Sequence, residues 1–494
     1  MLSRILGFVR DMIWAQAFGA GPAFDAFIIA FRLPNFMRRL FAEGAFAQAF
    51  VPVLAEKQTK TSLDDVKTFI SHMSGVLTVA LVITVIIFFF CAPLLISLFA
   101  PGFHWDGVRY ELSTHMLRVT APYLLFISLV ALSGAVLNTY GNYGIPSFTP
   151  VLFNVCLILA AVYLGPHFAI PVEALAWGLL AAGIAQFFFQ LPFLWQKRLL
   201  VMPNPRLHDP DVRRVLKLMV PALFGVSVAQ LSVLIDTVFA SFLPKGSVTW
   251  LYFSERLMNF PLGVFGVGIA TVILPYLSRG AASQDQERYN QTFDWALRLL
   301  LLIGVPSSIG LLMLAGPMIA TLFGHGKFTH HDVLMSTRSL MAFAVGVQAF
   351  MLVKVLASAF YARQNIKFPV KVAAFSMLCN MGLNFALIGP LAHAGLALAT
   401  SISGFINAGC LLVFALKRGI YTPQAGWAKF FLQLFVANAI MIAALFFLTP
   451  AMSQWLVWHW PAQAEHLTEC VFAALFIYGL ALFLSGVRLR HFRV

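Results

Sequence analysis

The chain has 494 residues, of which 60% are apolar and only 11% are charged, and its mean hydropathy is +0.85. Soluble globular proteins use about 45–50% apolar and about 25% charged residues, so a soluble globular chain is excluded, as is a disordered one. A net charge of +14 would suggest nucleic acid in a soluble protein. In a chain this apolar it points instead to basic loops on the cytosolic side of a membrane, and no nucleic-acid partner is expected.

At roughly 20 residues per span, the apolar content corresponds to about fourteen spans. The apolar runs predict helices over 1–18, 23–50, 69–99, 113–140, 145–165, 172–196, 212–243, 247–278, 290–324, 335–362, 366–388, 393–417, 427–449 and 468–487. Barrel strands would alternate apolar and polar residues. The run from Val76 to Ala92 does not alternate, so the expected class is an all-α polytopic membrane protein. Cys91, Cys156, Cys379, Cys410 and Cys470 lie in apolar runs without a C-x-x-C pair and read as small buried hydrophobes.

The connections set the orientation. The second, sixth, eighth, tenth and twelfth connections and the tail carry 20 Lys and Arg residues, from Lys57 to Arg493, whereas the opposite side carries 4: Arg109, Lys245, Lys327 and Arg338. The positive-inside rule then puts both termini in the cytosol, which requires an even number of spans.

The chain also repeats. Arg32-Leu-Pro-Asn-Phe36 matches Arg256-Leu-Met-Asn-Phe260 at an offset of 224, and Pro93–Phe99 matches Pro317–Phe323 at the same offset. Asn142 and Pro146 match Asn365 and Pro369 at 223, and Asp11 falls opposite Asp236 at 225. Four ordered matches near one offset predict two homologous six-helix halves. Six is even, so the halves are parallel repeats about a pseudo-twofold axis along the membrane normal, an architecture of transporters. The predicted organisation is an N-lobe over 1–196, a cytosolic linker over 197–217, a C-lobe over 212–417, and two additional helices within 418–494. Met1 corresponds to about Val226, eleven to fourteen residues inside the seventh helix, so helix 1 is expected to lack its first turns through a misassigned or trimmed start. No signal peptide is read there.

Nine Lys and Arg residues fall inside spans: Arg4, Arg10, Arg32, Arg38, Arg39, Arg118, Arg256, Arg298 and Lys354. Asp11, Asp25, Glu43, Asp236 and Glu255 accompany them. Nine cations facing lipid would cost on the order of 20–30 kcal/mol, more than the whole stability of a typical fold, so most must face a wet cavity or a partner. Ser3 and Arg10, like Arg4 and Asp11, are seven apart and share one broad helix face. On helix 2, Asp25, Arg32 and Arg39 step by seven, with Asn35 beside them and Pro34 freeing backbone carbonyls. This pattern reads as a cationic pocket for an anionic, phosphate-bearing substrate, because arginine forks match phosphate oxygens. Snorkelling or internal ion pairing is the better reading of Arg39, Arg118, Arg298 and Lys354.

A second set, Asp236, Asn380, Asn384 and Thr400, offers hard oxygen donors for a sodium-type cation; interhelical hydrogen bonding is its alternative reading. Gly263-Val-Phe-Gly-Val-Gly268 lacks GxGxxG order and reads as close helix packing. His330 and His331 read as solvated loop residues.

The opening residues closely resemble a known family. Ser3-Arg-Ile-Leu-Gly-Phe-Val-Arg-Asp11, Gly19-Ala-Gly21, Asp25-Ala-Phe27, Leu33-Pro-Asn35, Arg38-Arg-Leu-Phe-Ala-Glu-Gly-Ala-Phe46 and Phe50-Val-Pro52 are similar to the MurJ (MviN) family of lipid II flippases, and the resemblance runs over nearly the whole chain. It implies the fold of the multidrug/oligosaccharidyl-lipid/polysaccharide exporter superfamily. It implies a multi-pass protein of the bacterial cytoplasmic membrane, with lipid II and the bilayer as its partners, that moves undecaprenyl-pyrophosphate-linked peptidoglycan precursor to the periplasmic leaflet. Substrate-contacting positions carried over are Arg4, Arg10, Arg38, Arg256 and Asp25, beside the Ser3, Asp11, Arg32 and Asn35 of the residue-level reading. Helices 13 and 14 would take the lipid tail. Some members bind sodium at positions matching Asp236, Asn380, Asn384 and Thr400; where that pattern admits a carboxylate, this chain has Asn384.

The expected mechanism is alternating access with no bond broken, so the chain is read as a transporter and not an enzyme. No cofactor is expected beyond a coupling cation, sodium or proton. A monomer is expected, with cell-wall synthesis and division proteins as protein partners. The rivals are a polysaccharide-lipid flippase, an ion-coupled multidrug exporter with a carboxylate-lined pocket, and a membrane-embedded transferase needing a His/Asp or metal constellation.

Overall fold

The computed structural model describes residues 2–39, 46–283 and 285–487, with backbone alone at 222 and 224–230. Glu43 and the tail residues Arg488, Arg490 and Arg493 lie outside the described residues, as does the side chain of Val226. Every regular element among the described residues is helical, and grouping by contacts gives two compact units, one ending at Thr249 and one beginning at Trp250.

The first unit holds α1 (Leu2–Phe18), α2 (Pro22–Met37), α3 (Phe46–Lys60), α4 (Leu63–Phe90), α5 (Ala92–Phe99), α6 (Gly107–Thr120), α7 (Tyr123–Thr139), α8 (Gly144–Leu159), α9 (Glu173–Gln196) and α10 (Pro210–Ser241). In it α2 packs on α6, α8 on α1 and α9, and α3 on α7 and α10. One of its cores is a stack of Phe46, Phe50 and Phe69, with successive centroids 5.0 and 5.5 Å apart, surrounded by Leu54, Met73, Leu137 and Val212.

After α11 (Ser247–Pro261), the second unit continues with α12 (Val267–Ala282), α13 (Gln286–Met313), α14 (Ala315–Phe323), α15 (His330–Tyr361), α16 (Lys367–Lys417), α17 (Trp427–Leu448), α18 (Met452–Trp455) and α19 (Trp460–Leu484). Here α15 packs on α13 and α16, and α17 packs on α19 and α13.

Ten helical segments among the described residues are long and apolar enough to cross a bilayer. The 51 residues of α16 would extend about 75 Å at 1.5 Å per residue, far beyond a hydrocarbon core of about 30 Å. The backbone turns at Ala392, with φ 49° and ψ −128°, which divides α16 into the two helices predicted over 366–388 and 393–417. Of the helix predicted over 23–50, α2 (Pro22–Met37) and α3 (Phe46–Lys60) cover the two ends, and 40–45 lie outside the described residues. Pro122, which has no N–H to give, separates α6 from α7 within the predicted 113–140 helix. Single π turns at 160–164 and 262–266 interrupt two further predicted helices.

The starts of several long helices are written locally. Ser62 and Asp65 form a reciprocal capping box at α4, and Thr329 with Asp332 does the same at α15. Asp285 caps α13. The internal repeat is visible in the element order: a long helix followed by a short one occurs as α4–α5 and again as α13–α14.

The repeat makes α10 the counterpart of α1, yet its contacts place it in the first unit. Near its start, Asp211 pairs with Lys57 at 2.7 Å and Arg214 with Glu56 at 2.8 Å. Farther along, Thr237 Oγ1 accepts from Arg32 at 2.7 Å, and near the end Ser241 Oγ accepts from the Gly102 N–H at 3.0 Å.

The segment leading into α10 is strapped across α4. Ser71 Oγ donates to the Met202 carbonyl at 2.6 Å, and the Asn204 N–H donates to the Ser71 carbonyl at 3.0 Å. His72 Nδ1 lies 2.7 Å from Asp209 Oδ2, while Asp209 Oδ1 accepts from the N–H groups of Asp211 and Val212 and so caps α10. Burial pushes the Asp209 carboxyl up, but the bond to His72 and the two backbone donors outweigh it and hold the group below its ordinary value. A group depressed in the folded state contributes stability that is complete above its unfolded pKa and is lost as pH falls through the folded one. In a pH series of thermal unfolding temperatures, the advantage of the wild type over Asp209→Asn is therefore expected at neutral pH and should close below the ordinary carboxylate range. Gly75 permits the close approach of the strap, because a Cβ there would sit 2.3 Å from the Asn204 carbonyl carbon and 2.4 Å from the Pro205 nitrogen. Gly75→Ala is expected to cost about 1–3 kcal/mol by overpacking, read as a lowered unfolding temperature.

Candidate substrate site

On α1, Arg10 and Asp11 are adjacent and both buried, at 4% and 0% exposure. Arg10 Nε and Nη2 both donate to Asp11 Oδ1, at 3.0 and 2.6 Å, and Nη1 donates to Asn154 Oδ1 on α8 at 3.1 Å. The guanidinium carbon lies 4.4 Å from the centroid of the Trp14 ring. Asn154 is itself fixed, since its Nδ2 donates to the carbonyls of Ser3 and Pro150. A planar cation is thus held by a carboxylate, an amide and an aromatic face, the partners that suit arginine. Arg4 is exposed and Ser3 half-buried on the same helix.

On α2, Asp25 is fully buried. Its Oδ1 accepts from the N–H and hydroxyl of Thr249, at 2.9 and 2.7 Å, and its Oδ2 from the Gly246 N–H at 2.7 Å. These donors belong to the first turn of α11 and the residue before it, so Asp25 satisfies orphan amides at a helix start with a negative charge, where the helix dipole favours one. Asp25 and Thr249 are 224 apart, which is the repeat offset. Arg109 stands 3.8 Å from Asp25 and 2.9 Å from Asp106, donates to the Leu243 carbonyl at 3.3 Å, and lies over the Phe103 ring at 4.4 Å.

Farther along, Arg32 on α2 is half-buried, and just past the end of α2 Arg38 is half-buried and Arg39 exposed. Arg38 Nε donates to Asn35 Oδ1 at 3.2 Å, and Asn35 Nδ2 donates to the Phe31 carbonyl. The first unit therefore presents Arg4, Arg32 and Arg38 at least partly open, with Arg10 buried behind its partners. In the second unit Arg256 is half-buried on α11, one residue after Glu255, which accepts from Asn259 at 3.5 Å.

The oxygen-donor set is divided. Asp236 is half-buried on α10 in the first unit. Asn380 and Asn384 are buried on α16 at 1% and 0% exposure. Thr400 lies beyond the kink of α16, and its hydroxyl donates to the Leu396 carbonyl at 2.9 Å. Among the described residues no group of three or more His, Cys, Asp or Glu side chains is placed to hold a metal.

Sequence reasoning missed three participants. Arg109 reads as an ordinary loop cation, yet it is 6% exposed and inside the Asp25 network; the Asp106–Arg109 spacing was its only local signal. Thr249 was recoverable as the repeat counterpart of Asp25. Asn154 carries no sequence signal, because an asparagine 144 positions away from Arg10 becomes its partner only through folding. Conversely, His330 and His331 are exposed at the start of α15.

The family model described as "Lipid II flippase MurJ" matches residues 14–464. The chain is 43% identical to the "Probable lipid II flippase MurJ" of Haemophilus influenzae, over 99% of both chains. It is also 43% identical to the "Lipid II flippase MurJ" of Burkholderia cenocepacia, over 90% of this chain and 87% of that one. Among solved structures, "Lipid II flippase MurJ, inward closed conformation" superposes with a TM-score of 0.81 at 27% identity, covering 98% of this chain and 96% of the other. An inward-facing MATE multidrug transporter of the MOP superfamily superposes at 0.67 and 15% identity, covering 84% of this chain and 94% of that one, which shows a shared fold alone.

Removing one partner of a buried ion pair typically costs about 3–5 kcal/mol, because the other charge is left uncompensated. Asp11→Ala is expected to lower the unfolding temperature strongly, with Asn154→Ala giving a smaller loss in the same direction. Equal unfolding temperatures for Asp11→Ala and the wild type would contradict the pairing.

Proposed function

The chain belongs to the lipid II flippase MurJ family, and from that premise we propose how its residues carry the headgroup of lipid II across the bacterial inner membrane. Transport is a translocation without bond cleavage, so the protein works as a transporter. The pyrophosphate is held by Arg4, Arg10, Arg38 and Arg256, with Arg32 and Asn35 on the same stretch of α2, and Ser3 and Asp11 complete the α1 side. The observation that carries this reading is Arg10. A guanidinium buried at 4% exposure with a carboxylate, an amide and a Trp ring around it is a costly group to keep at bilayer depth, and a family that moves a pyrophosphate has a use for it.

Asp25 acts by position in this reading. It is kept among the substrate-site residues, and it ties α2 to the turn before α11. The additional helices α17 and α19 take the undecaprenyl chain. Both termini lie in the cytosol, on the side of the basic connections, and the fourteen-span count follows the predicted helices. The inside-negative potential favours export of anions by about 2.3 kcal/mol per charge per 100 mV, with sodium at Asp236, Asn380, Asn384 and Thr400, or a proton, as the coupling cation. The chain acts as a monomer and meets cell-wall synthesis and division proteins at the membrane. The lobes of the transport cycle are 1–196 and 212–417, joined by the 197–217 linker.

The test is lipid II translocation in liposomes. A hydrogen bond to a charged group is worth about 1.5–3 kcal/mol, so Arg10→Ala and Arg256→Ala are each expected to slow flipping by about tenfold or more. Undiminished flipping by both variants would overturn the arginine assignment.

A further inference from the structure

The face of α13 is divided by chemistry. Its first half carries Gln286, Asn290, Asp294 and Arg298 at successive steps of four, which places them in one row along the helix. Its second half turns Leu301, Leu302, Val305 and Ile309 towards the α17–α19 pair. The polar row grips the segment that joins α16 to α17. Asp294, only 4% exposed, accepts from the Tyr421 hydroxyl at 2.5 Å, the Trp427 indole N–H at 2.6 Å and the Gln424 N–H at 3.2 Å. Arg298 Nε stands 2.7 Å from its other oxygen, donates through Nη2 to the Ala425 carbonyl at 2.9 Å, and lies over the Trp427 ring at 5.0 Å. Asn290 Oδ1 accepts from the Thr422 N–H, and Gln286 Nε2 donates to the Ile420 carbonyl, each at 3.1 Å.

At bilayer depth the contact between α13 and α17–α19 is mostly apolar, with Tyr478 donating to the Leu302 carbonyl at 2.7 Å as a polar exception. Lipid is as apolar as these side chains, so burying them against one another gives little hydrophobic preference for one register over another. Buried polar and ionic groups are well attested as register keys in such interfaces. We propose that Asp294 is a positioning residue that keys α17, and with it α19, onto α13 in one axial and rotational register, and so determines how long an isoprenoid chain the protein can move. The proposal rests on the reading in which α17 and α19 take the lipid tail. Beyond their shared contacts the two helices present a wide aromatic surface, including Phe435 and Phe447 on α17 and Phe476 on α19, each more than two-thirds exposed. A long chain lies along many of these side chains and is sensitive to register. A short chain meets few of them.

The experiment uses the full-length protein in proteoliposomes with two substrates that share one pyrophosphate-linked headgroup and carry an undecaprenyl or a farnesyl tail. Asp294→Asn removes the ion pair with Arg298. Tyr421→Phe removes a single donor and keeps the carboxylate, so it reports even where Asp294→Asn fails to fold. For both, faster amide hydrogen exchange over residues 418–427 is expected, with flipping of the undecaprenyl substrate reduced by about tenfold and the farnesyl substrate nearly unchanged; Asp294→Glu should recover much of the loss. Equal loss on the two tails, or no loss on either, overturns the proposal. Arg10→Ala and Arg256→Ala separate the two claims: each should slow both tails alike, and flipping of both tails at the wild-type rate by both variants would remove the arginine assignment while the tail-length contrast of the Asp294 and Tyr421 variants still decided the register key.

Discussion

A carboxylate inside a membrane protein has few donors to draw on, and among the described residues the buried carboxylates Asp11, Asp25 and Asp294 are each supplied with them. Asp25 takes two backbone amides and a hydroxyl at the start of α11. Asp11 takes two guanidinium nitrogens of its neighbour. Asp294 takes a phenol, an indole, an amide and Arg298. An uncompensated charge in such surroundings costs several kcal/mol, so the partner set is a condition of folding before it is a contribution to function. Much of the architecture is arranged around meeting that condition: the loop before α11 reaches back to α2, and the segment before α17 folds onto α13.

The same constraint supplies what apolar packing lacks in lipid. Helices sliding past one another in a bilayer exchange one hydrocarbon neighbour for another, whereas a carboxylate with three or four donors has one good position. Apart from the Arg10–Asp11 pair in the middle of α1, several polar anchors lie near helix ends and in connecting segments, with Asp209 and His72 at the strap and Asp332 bonded to the Trp250 indole at 2.9 Å. Tyr421 shows the chemistry at its most exposed to titration. Burial and the bond to Asp294 push its phenol well above the ordinary tyrosine range, so it stays a donor at any physiological pH.

Helix positions, the all-helical class and the repeat were legible because they are written in periods and runs: Val76 to Ala92 cannot alternate, and Arg32 and Arg256 stand at a fixed offset. Local helix starts were legible too, since Ser62 with Asp65 and Thr329 with Asp332 carry their own spacing. Long-range polar pairs were not. Asn154 is one of several intramembrane asparagines until α8 packs on α1, and Arg298 reads as snorkelling or internally ion-paired, while only the fold names its partners, Asp294 and the Ala425 carbonyl. The contact grouping of α10 was hidden for a related reason. The repeat records its ancestry with the second half, whereas Lys57, Glu56, Arg32 and Gly102 record where it now packs.

Duplication also leaves a contrast. The scaffold has kept its matched positions while their charges have diverged. Asp25 corresponds to Thr249, and Arg109, at an offset of 223, corresponds to Asp332. In the first half a carboxylate on α2 faces a cation on α6, and in the second an indole on α11 donates to a carboxylate on α15. The arginines diverge in the same way. Arg32 has its counterpart in Arg256, but the positions matching Arg10, Arg38 and Arg39 hold residues that carry no charge, from Leu234 to Gly263. Each retained cation costs free energy in a membrane, so their concentration in one of two matched halves is what motivates the arginine assignment proposed above. The second half keeps fewer of them, and one, Arg298, is paired with Asp294 where the segment before α17 folds onto α13.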